Sequence, residues 1–234
     1  DTIEAPTIRI ESRGHTEAMR QCVRDAPADD WLVFTSVNGV DAFLEALRRE
    51  DLDIRALGSA RIAAIGPATA ERLRAVCLRV DLMPDRFVAE ALLDAFDERG
   101  TLTGKRILLP RSAIARPALA DGLRARGAEV AEVAAYDTAR EPLDPALVEA
   151  LRDGKVDLVT FTSSSTVRNF AEALPETGRQ TLLNHVRAAS IGPVTSETLR
   201  EHGIHIAVEA RESTIPALAD AVAAWRRAQE STSP

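Results

Sequence analysis

One pair of segments constrains this chain more than any other: WLVFTSVNGVDAFLEAL at 31–47 and LVTFTSSSTVRNFAEAL at 158–174. Aligning Ser36 with Ser163 brings Val40, Phe43, Leu44 and Leu47 onto Val167, Phe170, Ala171 and Leu174. The spacing i, i+3, i+4, i+7 is one face of a helix. Each copy therefore reads as a short apolar strand, a polar turn and an amphipathic helix. A second pair follows, IAAIGPATAERLRA at 62–75 and AASIGPVTSETLRE at 188–201, slipped by one residue as a loop permits. PDRFVAEALLDAF at 84–96 also resembles ARESTIPALADAV at 210–222, and EAPTIRI at 4–10 resembles EVAAYDT at 132–138. Self-similarity on this scale decides the fold class before any single residue does.

Short apolar strands alternating with helical segments are the pattern of parallel α/β units. The sequence thus predicts two similar parallel-sheet domains, Rossmann- or flavodoxin-like, arising from an internal duplication. GKRILLPRSAIARPALADGLRARGAEVAEVAAYDT at 104–138 adds strand, helix and strand, and its counterpart before EAPTIRI is absent. The symmetry leads us to expect that about 30 residues, one strand–helix unit, have been lost from the N-terminus.

With 45% hydrophobic residues among 234, the chain can furnish a core for one large or two ordinary domains. Its formal charge of −7 argues against a non-specific nucleic-acid binder, whose affinity needs a basic surface. Cys22 and Cys77 lack a CxxC partner or a nearby histidine, so neither a metal site nor a redox pair is expected, and a reducing cytoplasm fits. No apolar run approaches the roughly 20 residues that span a bilayer, and no signal peptide is recognisable. We expect no membrane partner. GxGxxG after a strand, GxxxxGK[ST] and GxSxG are all missing, which removes the main support for dinucleotide, nucleoside-triphosphate and hydrolase readings. His202 and His205 flank Gly203, between a helix end and a strand, and no metal is expected there.

Ligands of open parallel sheets bind beyond the carboxyl ends of the strands, where amides at helix N-termini point outward. The candidates there are Thr35, Ser36 and Asn38; Gly66, Pro67 and Thr69; Arg111, Ser112 and Arg116; Ser163, Ser164, Ser165 and Thr166; and Gly192, Pro193, Thr195 and Ser196. The hydroxyls read equally as helix N-caps, each worth about 1 kcal/mol. The two readings are compatible, because a capping hydroxyl beside free amides also holds a carboxylate or phosphate. Arg111 and Arg116 follow the strand ILLP and read either as carboxylate partners or as structural surface residues. Tyr136, the sole tyrosine, lies at the junction of the two repeats, and from position alone it reads as packing.

Taken in order, FTSVNGV, IGPATAERL, the segment 104–138, VTFTSSSTV, IGPVTSETL and STIPALADAV resemble the uroporphyrinogen-III synthase family over roughly residues 4–222. The resemblance implies two α/β domains joined by a two-stranded β ladder, with the active site in the cleft between them. Mapped here, 27–134 would form a continuous domain and 1–7 plus 143–234 a discontinuous one. Residues 8–26 and 135–142 would be linkers, with ladder strands near 8–12 and 136–140. The implied reaction converts hydroxymethylbilane to uroporphyrinogen III without a cofactor. Loss of the terminal hydroxyl as water gives an azafulvene cation, and attack by the substituted carbon of ring D gives a spiro intermediate that recloses with that ring reversed. By motif position Tyr136 is the family's cleft tyrosine, Thr69 and Thr195 sit in its two IGxxT turns, and Ser36 and Ser163 end its two FTS strands. Val194 stands where some members have a second threonine. A monomer is expected. A reading from another class is a two-lobed ligand-binding or regulatory module with little or no catalysis.

Overall fold

A computed structural model describes residues 2–230; Asp1 and residues 231–234, which fall within the expected discontinuous domain, lie outside the described residues. The chain divides into two compact units. One is Ile10–Ala139, and the other takes the chain up to Arg9 and again from Arg140 onward.

The elements up to the second crossing are β1 (Ile8–Ser12), α1 (Glu17–Asp25), β2 (Trp31–Phe34), α2 (Val37–Arg49), β3 (Arg61–Ala64), α3 (Pro67–Arg74), α4 (Ala89–Arg99), β4 (Arg106–Ser112), α5 (Ala118–Ala125) and β5 (Glu129–Arg140). They build a five-stranded sheet in the order β1-β5-β4-β2-β3. The last four strands of that order are mutually parallel. β1 runs against β5, since Arg13 N–H donates to Ala135 O at 2.8 Å while Glu141 N–H donates to Thr7 O at 3.0 Å. The sheet is therefore mixed rather than purely parallel.

Trp31, Leu32, Val33 and Phe34 are all buried because β2 is central and covered on both faces. Alternate side chains go to opposite sides. Leu32 and Phe34 join Met19, Phe43 and Leu73 from α1, α2 and α3, and Trp31 and Val33 join Leu92, Phe96 and Leu119 from α4 and α5. Phe34 meets Phe43 edge-on at 5.5 Å, and Trp31 meets Phe96 edge-on at 5.0 Å. Residues 10–26, predicted as linker, belong to this unit. Thr16 caps α1 by accepting from Met19 N–H, and Met19, Cys22 and Val23 form a buried stripe of one short helix.

The remaining elements are α6 (Pro145–Arg152), β6 (Val159–Phe161), α7 (Ser164–Ala173), α8 (Arg179–His185), β7 (Arg187–Ser190), α9 (Pro193–Glu201), β8 (His205–Glu209) and α10 (Ile215–Glu230). β6, β7 and β8 form a parallel three-stranded sheet in that order. Phe161, Val167, Phe170 and Leu199 centre its main core, with Phe161 and Phe170 edge-on at 5.4 Å. Ala189 and Leu218 lie in a smaller cluster with Ala210.

In each unit two adjacent strands deliver their turns to the same end of a sheet. Ile65 N–H donates to Phe34 O at 3.1 Å, and Ile191 N–H donates to Phe161 O at 3.0 Å. The turns at 35–36 and 65–66 are thus neighbours, as are those at 162–163 and 191–192. No helix among the described residues is long and apolar enough to cross a membrane.

Candidate functional site

In the unit Ile10–Ala139, the turn after β2 places Ser36 in extended backbone, with φ −156° and ψ 156°, so that its Oγ accepts from Gly39 N–H at 3.1 Å and caps α2. The same Oγ donates to Tyr136 Oη at 3.1 Å, joining residues 100 apart in sequence. Tyr136 reaches it through an irregularity in the β4–β5 ladder. Arg111 pairs with Ala134 but Ser112 pairs with Tyr136, leaving Ala135 unmatched. In a regular strand Ala135 and Tyr136 would point to opposite faces. The bulge turns both toward the cluster containing Phe34 and Val40. The next residue, Asp137, accepts from Arg13 Nε at 2.5 Å, and this bond, followed by the opposing charge, raises the guanidinium pKa.

Thr35 is half-buried between β2 and the cap. Thr69 is buried in the first turn of α3, whose cap is Gly66 and whose first residue is Pro67. Proline suits that position because its missing N–H would have had no helical acceptor anyway. α2 and α3 are tied by Arg72 Nε to Asp41 Oδ1 at 2.6 Å. First-turn amides of α3 face outward at the end of the sheet that carries Ser36.

The two arginines separate. Arg111 is buried; it donates to Glu132 Oε2 at 2.7 Å and to the Arg116 carbonyl. Glu132 also accepts from Arg124 at 2.8 Å. The Arg111 guanidinium is thereby occupied by the protein itself, and it holds the loop from 112 to 117. Arg116 is exposed, and its side chain makes no ion pair among the described residues.

In the other unit, Ser163 and Thr166 form a reciprocal capping box at the start of α7. Thr166 N–H donates to Ser163 Oγ at 3.2 Å, and Ser163 N–H donates to Thr166 Oγ1 at 3.2 Å. Ser164 Oγ donates to Val194 O at 3.2 Å and accepts from Thr198 Oγ1 at 2.8 Å, tying α7 to α9. Gly192 begins α9 with Pro193 after it, and its turn is closed by Ser190, whose Oγ accepts from Gly192 N–H at 3.2 Å and donates to Gly192 O at 2.9 Å. A Cβ on Gly192 would lie 2.4 Å from Ser213 Oγ. Thr195 is buried in the first turn of α9, and the neighbouring Ser196 Oγ donates to Glu209. Val194, in the same first turn, is exposed and offers no hydroxyl.

The structure thus brings Ser36 into direct contact with Tyr136, sets Thr69 in the adjacent turn, and groups Ser163, Ser164, Gly192 and Thr195 on two neighbouring turns of the other unit. Ser112, a candidate hydroxyl at the end of β4, acts through its shifted pairing, which aims Tyr136, whereas sequence reasoning missed Thr198, which fixes Ser164. Thr198 follows Thr195 by three positions on α9, but it is matched by Arg72 in the other repeat, so symmetry did not select it. A cavity of about 570 Å³ in the unit Ile10–Ala139 opens instead at the opposite, amino ends of the strands, lined by Asp30, Trp31, Arg61, Arg99 and Lys105. Its charges are largely paired, as with Lys105 Nζ to Asp30 Oδ1 at 2.7 Å. Among the described residues, no three of His, Cys, Asp and Glu are grouped as metal ligands would be.

Comparison with known proteins adds to this geometry. The profile of the family described as Uroporphyrinogen-III synthase HemD matches residues 1–220. A putative uroporphyrinogen-III synthase of Methanothermobacter thermautotrophicus is 38% identical over 205 residues, covering 86% of this chain and 79% of that protein. The uroporphyrinogen-III synthase of Synechococcus elongatus is 34% identical over 232 residues, covering 96% and 86%. Among solved structures, uroporphyrinogen-III synthetase from Helicobacter pylori aligns with a TM-score of 0.63 at 21% identity, over 92% of this chain and 88% of that one, a likeness of fold.

Proposed function

The chain belongs to the uroporphyrinogen-III synthase family, a family of lyases, and from that premise we propose that it cyclises hydroxymethylbilane to uroporphyrinogen III, with inversion of ring D through a spiro intermediate. The observation that carries the proposal to particular residues is the hydroxyl pair at the carboxyl end of the sheet, Ser36 Oγ to Tyr136 Oη at 3.1 Å. Tyr136 donates a hydrogen bond to the hydroxyl that leaves the terminal hydroxymethyl carbon. The electron-rich pyrrole assists that C–O cleavage, so a weak donor is sufficient and no strong acid is required. Ring D then attacks the cation through its substituted carbon. The spiro intermediate breaks the bond from that carbon to its original methylene and re-forms it at the free α-carbon, which loses a proton.

The substrate carries acetate and propionate groups and closes unaided to the wrong isomer, so the protein's main task is to hold one geometry. We assign the carboxylates to oriented neutral donors rather than to net charge. These are the first-turn amides and hydroxyls around Thr35, Thr69, Ser163, Ser164, Gly192 and Thr195, helped by the exposed Arg116. Local donors of this kind reconcile a formal charge of −7 with a polyanionic substrate. Arg111 supports the Arg116 loop from beneath. The repeated strand–turn–helix pattern supports a duplication origin for the two units. Incubation with hydroxymethylbilane, oxidation and chromatographic separation tests the activity. Isomer III forming faster than the enzyme-free reaction is expected; isomer I alone would reject the cyclase and favour a binding or regulatory module.

A further inference from the structure

We infer that Ser36 is a positioning residue for Tyr136, the middle member of a relay that runs from the α2 N-terminus through the serine hydroxyl to the phenol. This rests on the proposed cyclase reading for its catalytic consequence, but not for its geometry. Gly39 N–H donates to Ser36 Oγ at 3.1 Å, and Ser36 Oγ donates onward to Tyr136 Oη at 3.1 Å. The direction matters. Because the phenol oxygen accepts from Ser36, its own proton is left for another acceptor, and successive donors polarise one another so that the terminal O–H becomes the better donor. The positive end of the α2 dipole lies behind the chain of bonds and favours negative charge building on the phenol oxygen.

Two further features hold the relay together. Gly39 lets the first turn of α2 settle against β4, since a Cβ there would lie 3.1 Å from Pro110 O and 3.4 Å from Ser36 Oγ. The bulge opposite Ser112 re-aims Tyr136 from the far face of β5 into reach of that turn. β4 lies between β2 and β5 in the sheet, so the serine–tyrosine bond has to span an intervening strand. From a regular ladder Tyr136 would face the other side of β5. A serine that served only as cap, or as a substrate ligand, would not need that bulge.

The test combines kinetics with a reading that needs no activity. Tyr136 is the sole tyrosine, so tyrosine labelled with 13C at Cζ gives one resonance that reports the bond to its oxygen. Ser36→Ala and Ser36→Gly remove the hydroxyl, and glycine remains a good cap. Ser36→Thr retains both the hydroxyl and the cap. In the substrate-free protein the resonance should move in Ser36→Ala and Ser36→Gly and return in Ser36→Thr. With hydroxymethylbilane, both hydroxyl-less variants should lose about fivefold in kcat with KM little changed, and Ser36→Thr should restore most of it. A resonance that stays in place in both would overturn the relay whatever the kinetics. A raised KM at unchanged kcat would overturn it in favour of Ser36 as a substrate ligand. If no variant and no wild-type protein makes isomer III, the cyclase reading falls, and the resonance still decides whether the relay exists.

Discussion

Arg111→Met distinguishes a guanidinium that holds the protein from one that waits for a ligand. In the structure the side chain is buried, bonded to Glu132 Oε2 at 2.7 Å and to the Arg116 carbonyl. A hydrogen bond to a charged group contributes about 1.5–3 kcal/mol. Two observations pull the expected loss toward the lower part of the combined range. Glu132 is a third exposed and keeps Arg124 at 2.8 Å, so it is not stranded, and the Arg116 carbonyl lies in a loop that water can reach. Methionine also fills much of the space left by the aliphatic stem. The net expectation is a loss of about 2 kcal/mol, which in a chain of this size lowers the melting temperature by about 4–8 °C. Thermal unfolding followed by circular dichroism measures the first quantity, and steady-state kinetics with hydroxymethylbilane the second. The expected result is a lower melting temperature with KM nearly unaltered. An unchanged melting temperature with KM raised tenfold or more, equivalent to about 1.4 kcal/mol of binding, would refute the reasoning and return Arg111 to the substrate.

Burial first, and then the charges of Asp29 and Asp25, push the Cys22 thiol up to about 12 from an ordinary value of 9.0. Iodoacetamide at pH 8 should therefore label only the exposed Cys77 in the folded protein and both cysteines after denaturation; labelling of Cys22 in the folded state would contradict its burial. The same shift fixes a sign with pH. The raised thiol pKa contributes stability that is complete below pH 9 and is lost as pH rises toward 12, so unfolding curves should weaken across that window in wild type and less so in Cys22→Ala, once referred to each protein's value at neutral pH. Phe161→Ala removes one ring of the edge-on pair with Phe170, both nearly fully buried, and should destabilise its unit by about 3–5 kcal/mol, read by urea unfolding; a loss below about 1 kcal/mol would mean that this core is not packed as described.

How much could be read in the sequence varied with the distance over which each feature is decided. The α2 and α7 helices were visible because their apolar spacing and capping serines lie within a dozen residues, and the burial of Val40, Phe43 and Leu47 follows that stripe. The nine residues of α1 supply just Met19, Cys22 and Val23 as an apolar stripe, too few to separate from a linker before its packing partners are known. Tyr136 stands out in the sequence by its position, but its bond to Ser36 depends on a register shift against Ser112 and on a serine 100 residues away. No local pattern encodes either. Arg111 reads from the sequence either as a carboxylate partner or as a structural residue, and its bond to Glu132 depends on the β4–β5 register, which no local pattern encodes. The resemblance places ladder strands near 8–12 and 136–140, but not their continuity with the parallel sheet, and the direction of β1 comes from its pairing with the long strand β5, not from its own five residues.

The central claim is that held geometry selects the isomer while Tyr136 sets the rate. The most direct test is to follow Tyr136→Phe with hydroxymethylbilane, corrected for the enzyme-free conversion, and to separate the oxidised products by chromatography. The account predicts that the variant forms its product about tenfold or more slowly than wild type, and that the enzyme-dependent product remains isomer III. An unchanged rate, or isomer I as the enzyme-dependent product, would contradict it.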